Sequence, residues 1–490
     1  MSLGDRGSLE PYIKDEIKFY PHQIEGIRKL ARMKSFLLAD DMGLGKSVQS
    51  LAVFGIDVYM GYAKSAIIIC PATLKGNWIE EIEKFTGFVS VELGSGFRKD
   101  GVTPRALSKA ERDVQIEQFA SIDEAKILVV NYEQVVTHLA QLQELKFDVS
   151  IFDEAHYLKN PRAKRTKACM ELYTPRSFLL TGSPLLNRVD ELWTILYRIS
   201  PAEYPNYWSF RARYCVFGGF KNKEVVGVQN EKELTNRLQS IMVRRLKKDV
   251  LNLKEPQFIK RFVNLSPLQQ KMYDEIVNEL KLTVDGIDSP MEIENALTKL
   301  LRLKQICGTT ATLISKDESY KLDLAISDAF ELTDNGYKIV TFTQFRGVKN
   351  AYINRAKDAM PNVPVFELDG DIPIPARQEI VSSWSKVKGP AIIVCMIQVA
   401  GLGLNMTQAR HVQFIDKLFV PKLNQQAVDR VHRIGQDENE APQIFEYIAR
   451  GTVEKRVEEI LRTKSKLFDD VVETSSWKKL LVEAVLRGEA

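Results

Sequence analysis

The amino-acid sequence predicts an α/β protein with two parallel β-sheets and helical insertions. Two sets of short apolar runs, each ending at a polar or glycine-rich turn, are separated by longer segments with helical spacing. This alternation is typical of parallel sheets covered by helices. A chain of 490 residues also exceeds what one hydrophobic core usually supports, which favours at least two domains. The predicted strands are 36–38, 66–69, 127–130, 149–152 and 178–180 in the first set, and 339–342, 365–368, 391–394, 412–415 and 444–447 in the second.

We expect five segments along the chain. An N-terminal extension (1–18) precedes a first lobe (19–186), and a second lobe (338–451) precedes a C-terminal helical brace (452–490). Residues 187–337 lack the strand pattern, and we predict charged helical protrusions and a linker there. Ligands of parallel sheets bind beyond the carboxyl ends of the strands, so the site is expected at those ends.

Composition and charge narrow the class of protein. The net charge of +4 is small for this length, so any nucleic-acid surface is expected to be a local basic patch. The five cysteines form no Cys-x-x-Cys pair, which argues against a structural zinc site and a disulfide framework. No apolar run has the length of a membrane span, and the first residues do not resemble a signal peptide. We expect a soluble intracellular protein without a membrane partner, in the cytoplasm or nucleoid of a prokaryote or the nucleus of a eukaryote.

A glycine-rich segment follows the first predicted strand and precedes a helix expected over 48–59. Its glycines allow backbone N–H groups to turn towards phosphate oxygens at the positive end of that helix. The pattern predicts an ATP-binding loop in which Lys46 reaches the β- and γ-phosphates and Ser47 ligates Mg²⁺. Asp40 replaces the first glycine of the usual pattern, and a glycine-rich turn without function is the alternative. The residues expected to contact ATP here are Asp40, Asp41, Met42, Gly43, Leu44, Gly45, Lys46 and Ser47.

A pair of carboxylates directly follows the predicted strand 149–152. Asp153 is expected to hold Mg²⁺, and Glu154 is expected to orient and deprotonate the attacking water. The alternative is a charged pair that begins a helix. The phosphate loop about a hundred residues upstream favours the catalytic interpretation.

Two further segments are expected to complete the first half of the site. Gln23, just before the phosphate loop, has an amide that can donate to and accept from the edge of an adenine. The segment Thr181-Gly182-Ser183-Pro184 ends the fifth predicted strand, and we expect it to couple hydrolysis to movement of the lobe.

A third group of candidate catalytic residues lies far downstream. Arg430 and Arg433 are three residues apart, so on a helix both side chains point the same way, with Gln426 at helical spacing before them. Two guanidinium groups suit the charge that develops on a transferring γ-phosphoryl group. For a single arginine, a solvated helix face is the alternative.

The order of these motifs resembles that of the Swi/Snf-type ATPases of helicase superfamily two, over about residues 19–461. The matching segments are DDMGLGKS (40–47), DEAH (153–156), LTGSPLLN (180–187) and DRVHRIGQ (429–436). The last segment looks like that of compact bacterial, archaeal or phage members, or of the DNA-annealing and fork-remodelling branch. The resemblance implies two RecA-like lobes of the P-loop NTPase type, ATP and Mg²⁺ bound between them, and movement along duplex DNA without strand separation.

The resemblance also implies further binding residues. Gly403, in the segment Gly401-Leu402-Gly403-Leu404-Asn405, is expected to contact ATP. Basic Arg244 and Arg245 are expected to add to a DNA track, unless they form an ordinary solvated helix face. The residues expected to hold DNA phosphates are Lys75, Asn77, Asn131, Gln344 and Asn405. Phosphate contacts carry no base information, so binding should tolerate any sequence and weaken as salt rises.

The sequence therefore predicts a DNA-dependent ATPase that translocates on double-stranded DNA and remodels or displaces what is bound there. We expect a monomer, because both halves of the predicted site lie in one chain. A strand-separating helicase, an RNA-directed ATPase and a nucleotide-gated DNA clamp without hydrolysis are the alternatives.

Overall fold

The chain divides into two compact units, Met1–Leu251 and Asn252–Ala490. The computed structural model describes residues 12–14, 17–97, 104–182, 189–218, 224–251, 254–284, 290–400, 405–419, 421–433, 436 and 440–455. Within this part of the chain, every helix is too short or too polar to cross a membrane.

The first unit is built on a seven-stranded sheet. Its strands and those of two small hairpins are β1 Phe36–Leu38, β2 Ser65–Cys70, β3 Val89–Glu92, β4 Ser95–Phe97, β5 Pro104–Ala106, β6 Lys126–Asn131, β7 Val149–Phe152, β8 Arg176–Leu180, β9 Cys215–Gly218, β10 Glu224–Val228 and β11 Met242–Val243. The sheet order is β11-β1-β8-β7-β2-β6-β3, and every neighbouring pair is parallel. The pairs β4–β5 and β9–β10 are antiparallel hairpins. Since parallel strands share a direction, the residues that follow them lie at one edge of the sheet.

Helices cover both faces of this sheet. They are α1 Pro21–Leu30, α2 Lys46–Tyr59, α3 Lys75–Phe85, α4 Lys109–Ser121, α5 Tyr132–Thr137, α6 Leu139–Glu144, α7 Lys164–Glu171, α8 Leu192–Ile199, α9 Tyr207–Tyr214, α10 Glu231–Ile241 and α11 Lys247–Val250. Alternate strand residues point to opposite faces. Ile68 therefore packs in one core with α2 and α3, whereas Ile67 and Ile69 pack in the other with α4, α5 and α7. Burial on both faces explains why these strands are continuous apolar runs in the sequence.

The second unit is built on a six-stranded parallel sheet. Its elements are β12 Gln257–Val263, α12 Pro267–Val284, α13 Pro290–Gly308, α14 Tyr320–Asp334, β13 Lys338–Thr343, α15 Arg346–Ala359, β14 Val365–Leu368, α16 Ile374–Lys386, β15 Ala391–Met396, α17 Ile397–Ala400, β16 His411–Phe414, α18 Pro421–Val428 and β17 Gln443–Ala449. The sheet order is β12-β17-β16-β13-β15-β14, again with parallel neighbours throughout. The predicted fold class, two parallel α/β lobes, is confirmed, and each predicted strand coincides with an observed one to within two residues at either end.

The segment 187–337 differs from its prediction. It contains the expected helices, but β9 and β10 form a hairpin, β11 joins the first sheet and β12 joins the second. The prediction that strands are absent here is therefore wrong. β11 has only two residues, and β12 is an edge strand that leaves Phe258 and Phe262 exposed, so neither strand carries a clear burial pattern.

The two predicted terminal segments are described only in part. Ile13, in the predicted N-terminal extension, is buried in the core of the first unit, and the N–H of Lys14 donates to the carbonyl of Phe85 (3.0 Å). The predicted brace is described only as far as Lys455. There the buried ammonium of Lys321 pairs with Glu454 (2.6 Å). The remainder of the brace lies outside the described residues.

Candidate nucleotide site

Three strand ends bring the first group of predicted site residues together. The phosphate loop follows β1, Thr181 and Gly182 follow β8, and Asp153 and Glu154 follow β7. These strands are consecutive in the sheet, so the three segments are neighbours at its carboxyl edge. A Cβ atom added to Gly182 would lie 2.8 Å from Cγ of Met42 and 3.7 Å from Nζ of Lys46, which measures how closely the segments pack. Ser183 and Pro184 lie outside the described residues.

The phosphate loop has the backbone that its glycines were expected to provide. Gly43 and Gly45 have φ angles of 85° and 79°, in the left-handed region that favours glycine. Lys46 is the first residue of α2, and its ammonium donates to the carbonyls of Asp40 (3.0 Å) and Asp41 (3.3 Å). The loop thus curls around the lysine at the positive end of a 14-residue helix. This arrangement suits a phosphate group.

Gln23 supports the loop, which differs from its predicted role. Its carbonyl oxygen accepts from the N–H of Tyr20 (3.0 Å), and its amide nitrogen donates to the carbonyl of Leu44 (3.2 Å). The side chain is buried, and both ends of the amide are engaged within the protein. Reading of an adenine by this amide would require it to exchange one of these bonds, and it stays a prediction. His22 reaches the same carbonyl of Leu44 (3.3 Å), so α1 holds the middle of the loop.

Asp40, which replaces the first glycine of the usual loop pattern, is a buried partner of Arg245. The guanidinium of Arg245 donates to both carboxylate oxygens, from Nε (3.1 Å) and Nη2 (2.5 Å). Gln49 donates to the same carboxylate (3.2 Å). The carboxylate of Asp40 is therefore used inside the protein rather than offered to ATP. The predicted place of Arg245 on a DNA track is wrong for the same reason, whereas Arg244 is exposed.

Asp153 has the environment of a carboxylate that needs a cation. Its Oδ2 accepts from Nε1 of Trp78 (2.9 Å), and its Oδ1 accepts from the N–H of Glu154 (2.9 Å). Burial, with the neighbouring charge of Glu154, raises the pKa of Asp153 to about 7, although Trp78 and Lys46 oppose the rise. A divalent ion here would stabilise the charged form, and carboxylate and hydroxyl oxygens are ligands that Mg²⁺ accepts. Asp153 and Ser47 therefore fit the predicted ion.

Glu154 is held in an unusual backbone conformation. Its φ angle is 50°, in the left-handed region, which for a residue other than glycine costs about 1–2 kcal/mol. Its Oε2 lies 3.1 Å from Nδ1 of His156, and the hydroxyl of Tyr132 donates to the carbonyl of Asp153 (2.8 Å) just before it. Such strain is typical of functional sites, where the surrounding structure fixes the direction of a side chain.

The downstream candidates lie in the second unit. Gln426 belongs to α18, but the helix ends at Val428, so Arg430 and Arg433 lie in the turns that follow. The prediction that the two arginines share a helix face is therefore wrong. A long-range contact is present instead, because the N–H of Met406 donates to the carbonyl of Arg430 (3.0 Å). Gly403 lies outside the described residues.

Arg433 is nevertheless suited to an anion. Arg430 is buried, and Arg433 is half-buried, with Nε enclosed and without a hydrogen-bond partner among the described residues. An enclosed guanidinium N–H without an acceptor is costly, and a phosphate oxygen would satisfy it.

Two of the residues predicted to hold DNA phosphates have structural roles. The ammonium of Lys75 is buried, donates to the carbonyl of Leu93 (2.7 Å) and pairs with Glu92 (3.1 Å). The predicted phosphate contact of Lys75 is therefore wrong. Asn131 caps α5, since its Oδ1 accepts from the N–H of Gln134 (2.8 Å).

The other three candidates remain compatible with phosphate contacts. Asn77 is half-buried in the first turn of α3. The amide nitrogen of Gln344 donates to the carbonyl of Lys417 (3.2 Å), and the residue is half-buried. Asn405 is exposed, and its Oδ1 accepts from the N–H of Thr407 (3.4 Å). Their role in DNA binding stays a prediction.

Three residues of the site carried no predicted role. Trp78 positions the carboxylate of Asp153, Tyr132 holds its carbonyl, and Gln49 links Asp40 to the loop. The sequence offered one signal for Gln49, because it lies three residues after Lys46 and thus one helical turn further on. Nothing in the spacing of Trp78 and Asp153 shows that they meet.

Comparison with known proteins agrees with this arrangement. Residues 22–312 match the SNF2-related domain, and residues 321–435 match the helicase conserved C-terminal domain. The Bacillus subtilis protein named "Putative ATP-dependent helicase/translocase YwqA" is 27% identical over 453 residues, which cover 90% of this chain and 47% of that protein. The TATA-binding protein-associated factor MOT1 of Saccharomyces cerevisiae is 25% identical over 523 residues, which cover 92% of this chain and 27% of that protein.

Among solved structures, the chain is similar to the Sulfolobus solfataricus SWI2/SNF2 ATPase core in complex with dsDNA. The sequence identity is 29%, the match covers 97% of this chain and 98% of that one, and the TM-score is 0.44. The chain spans about half the length, or less, of the curated relatives that it matches. Since the SNF2-related domain alone accounts for residues 22–312 of 490, the chain belongs to the SNF2-related family, the Swi/Snf-type group that its motifs resemble.

Proposed function

We propose that this chain is an ATPase that uses hydrolysis to move along double-stranded DNA. The observation that carries the proposal is the meeting of the Lys46 loop, Gly182 and the Asp153–Glu154 pair at one edge of a parallel sheet. This grouping supplies a phosphate cradle, a cation ligand and a base. The helicase C-terminal domain and the helicase/translocase name of the Bacillus subtilis relative support movement along a nucleic acid, and we propose double-stranded DNA as the track, as the motifs imply.

Each side chain has a separate task in the proposed hydrolysis. Lys46 binds the β- and γ-phosphates, and Ser47 and Asp153 hold Mg²⁺, which neutralises phosphate charge when bound. Glu154 accepts the proton of the attacking water. Arg430 and Arg433 supply positive charge to the γ-phosphoryl group.

The DNA contacts in this proposal are made to phosphates. Asn77, Gln344 and Asn405 are uncharged and can bind phosphate oxygens without reading bases. Binding should therefore tolerate any sequence, and its dependence on salt should come from exposed basic side chains such as Arg244. In this proposal, movement along the duplex remodels or displaces the proteins or DNA structures that the motor meets.

The first test is steady-state ATP hydrolysis with no nucleic acid, single-stranded DNA, duplex DNA and duplex RNA, at low and moderate salt. We expect duplex DNA alone to stimulate hydrolysis, with stimulation that fades as salt rises. A Lys46→Ala preparation purified in parallel controls for contaminating ATPases. Equal rates with and without DNA would refute the proposal, and stimulation by single strands would indicate a strand-separating helicase instead.

Movement needs its own measurement. A third strand annealed in the major groove of a duplex should be released in the presence of ATP, while the duplex strands stay paired. Glu154→Gln should bind the same substrate and release nothing. Strong DNA-stimulated hydrolysis without release of the third strand would leave an ATPase that does not translocate.

A further inference from the structure

We propose that Arg245 is a positioning residue for the phosphate loop, which sets the affinity of the loop for nucleotide through its buried pair with Asp40. The inference deepens the proposed function, because it rests on the phosphate loop being the ATP site. It is independent of DNA and of movement. The guanidinium of Arg245 donates to Asp40, His22 and Gln49, so we infer that Arg245 acts on the nucleotide through the loop.

The pair is enclosed and has two parallel hydrogen bonds. The Asp40 carboxylate is completely buried, and the side chain of Arg245 is 13% exposed. Nε and Nη2 of the guanidinium each donate to one carboxylate oxygen, and Nη1 donates to the carbonyl of His22. A two-pronged pair of this kind fixes direction as well as distance. Removing one partner would leave a buried charge without compensation.

Gln49 extends the pair to the far end of the loop. Its oxygen accepts from Nη2 of Arg245 (2.7 Å), and its nitrogen donates to Asp40 (3.2 Å). The same nitrogen lies within hydrogen-bond distance of the carbonyls of Leu44 (3.4 Å) and Gly45 (3.3 Å). Arg245 is thus connected to the residue that begins the loop and, through one amide, to the glycine that ends it.

The backbone beside Arg245 follows the loop as well. The N–H of Asp41 donates to the carbonyl of Arg245 (3.0 Å), and the N–H of Lys247 donates to the carboxylate of Asp41 (3.0 Å). Asp40 and Asp41 are also the residues whose carbonyls hold the ammonium of Lys46. A shift of Arg245 would therefore move the atoms that orient the phosphate-binding lysine.

Gly26 provides the space for this arrangement. A Cβ atom added there would lie 2.2 Å from Oε1 of Gln49 and 2.6 Å from Nη2 of Arg245. Gly26 is in the middle of α1, where alanine is the better helix former by about 1 kcal/mol. Gly26→Ala therefore displaces the guanidinium without removing a charge, while favouring the helix itself.

The chain offers a matched control pair in the same lobe. Arg176 pairs with Asp57, and their side chains are 16% and 3% exposed, close to the values of the Arg245 pair. Arg176 also donates to the carbonyls of Met33 and Lys34 (2.6 and 2.9 Å). Arg176 begins β8 and so lies at the opposite edge of the sheet from the phosphate loop. Loss of either arginine should lower stability, but only Arg245 should affect the nucleotide.

The test compares Arg245→Met with Arg176→Met in the full chain. The measurements are the equilibrium affinity for a fluorescent ATP analogue with Mg²⁺, without DNA, and the thermal unfolding midpoint without nucleotide. We expect Arg245→Met to weaken nucleotide binding by about tenfold to a hundredfold. The two variants should lower the unfolding midpoint by similar amounts, but Arg176→Met should leave the nucleotide affinity unchanged. Unchanged affinity in Arg245→Met, or equal losses of affinity in both variants, would overturn the proposal.

Two further variants keep the test decisive if Arg245→Met does not fold. Arg245→Lys keeps the charge but loses the two-pronged geometry, and Gly26→Ala keeps every charged group. Both should weaken nucleotide binding and lower the unfolding midpoint less than loss of the arginine would. Wild-type affinity in both would refute the inference. A chain that binds nucleotide normally but ignores DNA would contradict the proposed function and leave this inference intact.

Discussion

The contact between Gly182 and the phosphate loop gives a prediction that can be worked out from distances. In Gly182→Ala, the new Cβ atom would lie 2.8 Å from Cγ of Met42. Carbon atoms in contact normally stay about 3.5–4.0 Å apart, so the two segments must separate by about 0.7–1.2 Å. The φ angle of Gly182 does not lie in the left-handed region, so the effect should come from this contact rather than from backbone strain.

The magnitude follows from the usual penalty for overpacking. Inserting one methyl group into a packed contact costs about 1–3 kcal/mol. If all of that were expressed in the nucleotide-bound conformation of the loop, affinity for ATP would fall by about 5- to 150-fold. Part of the strain will be relieved by rotation of the Met42 side chain, so we expect a value near the lower end of this range.

The assay is equilibrium binding of a fluorescent ATP analogue to Gly182→Ala, Met42→Ala and the double variant. Met42→Ala removes the Cγ atom that the new methyl group would strike, so the double variant should recover most of the affinity lost by Gly182→Ala. Such recovery shows that the two residues act through one contact. Unchanged affinity in Gly182→Ala, or equal losses in the single and double variants, would refute the reasoning.

Three further predictions concern other parts of the molecule. Burial, with Arg410 nearby, lowers the pKa of His411 from 6.5 to about 4, so the folded state binds fewer protons than the unfolded state between these values. Stability should therefore fall by about 2 kcal/mol as pH drops from 6.5 to 4, and denaturant titrations of His411→Gln should show a smaller loss. Lys75→Met should lower the unfolding free energy by about 1–3 kcal/mol. It should leave the slope of log affinity for DNA against log salt unchanged. A slope smaller by about one would instead show that Lys75 contacts a DNA phosphate. Glu154→Gln should bind ATP normally, but its rate of hydrolysis should fall by about 100-fold or more. Normal turnover would exclude Glu154 as the base.

The sheets and the phosphate loop were predictable because their signals are local. A strand such as Ser65–Cys70 is buried on both faces, so it is apolar along its length and stands out in the sequence. The left-handed backbone φ angles of Gly43 and Gly45 are likewise a property of single residues, and glycine is the residue that adopts them most readily.

The errors came from contacts between residues that are distant in the chain. The sequence presents Lys75 as a free cation, but its partner Glu92 lies beyond α3, and only the fold brings the two together. The spacing of Arg430 and Arg433 looks helical, yet the chain leaves the helix after Val428, and Met406 bonds to the carbonyl of Arg430. Local propensity does not contain such tertiary contacts, so it could not have corrected either prediction.

Asp40 shows what the sequence could indicate about a residue and what only the fold could reveal. Its place in the loop marked it as unusual, and the sequence alone suggested a contact with ATP. The actual partner, Arg245, lies 205 residues further along the chain. No periodicity connects positions so far apart, so the pairing could be recognised only after the two segments were seen side by side.

The left-handed backbone of Glu154 has a consequence for laboratory evolution. A screen that rewards only heat resistance would favour glycine at position 154, because glycine adopts this conformation without the penalty of about 1–2 kcal/mol. The screen would therefore enrich Glu154→Gly, the substitution that removes the proposed base. Variant libraries intended to raise thermal stability should therefore keep Glu154 constant. Otherwise each round should select for turnover and heat resistance together.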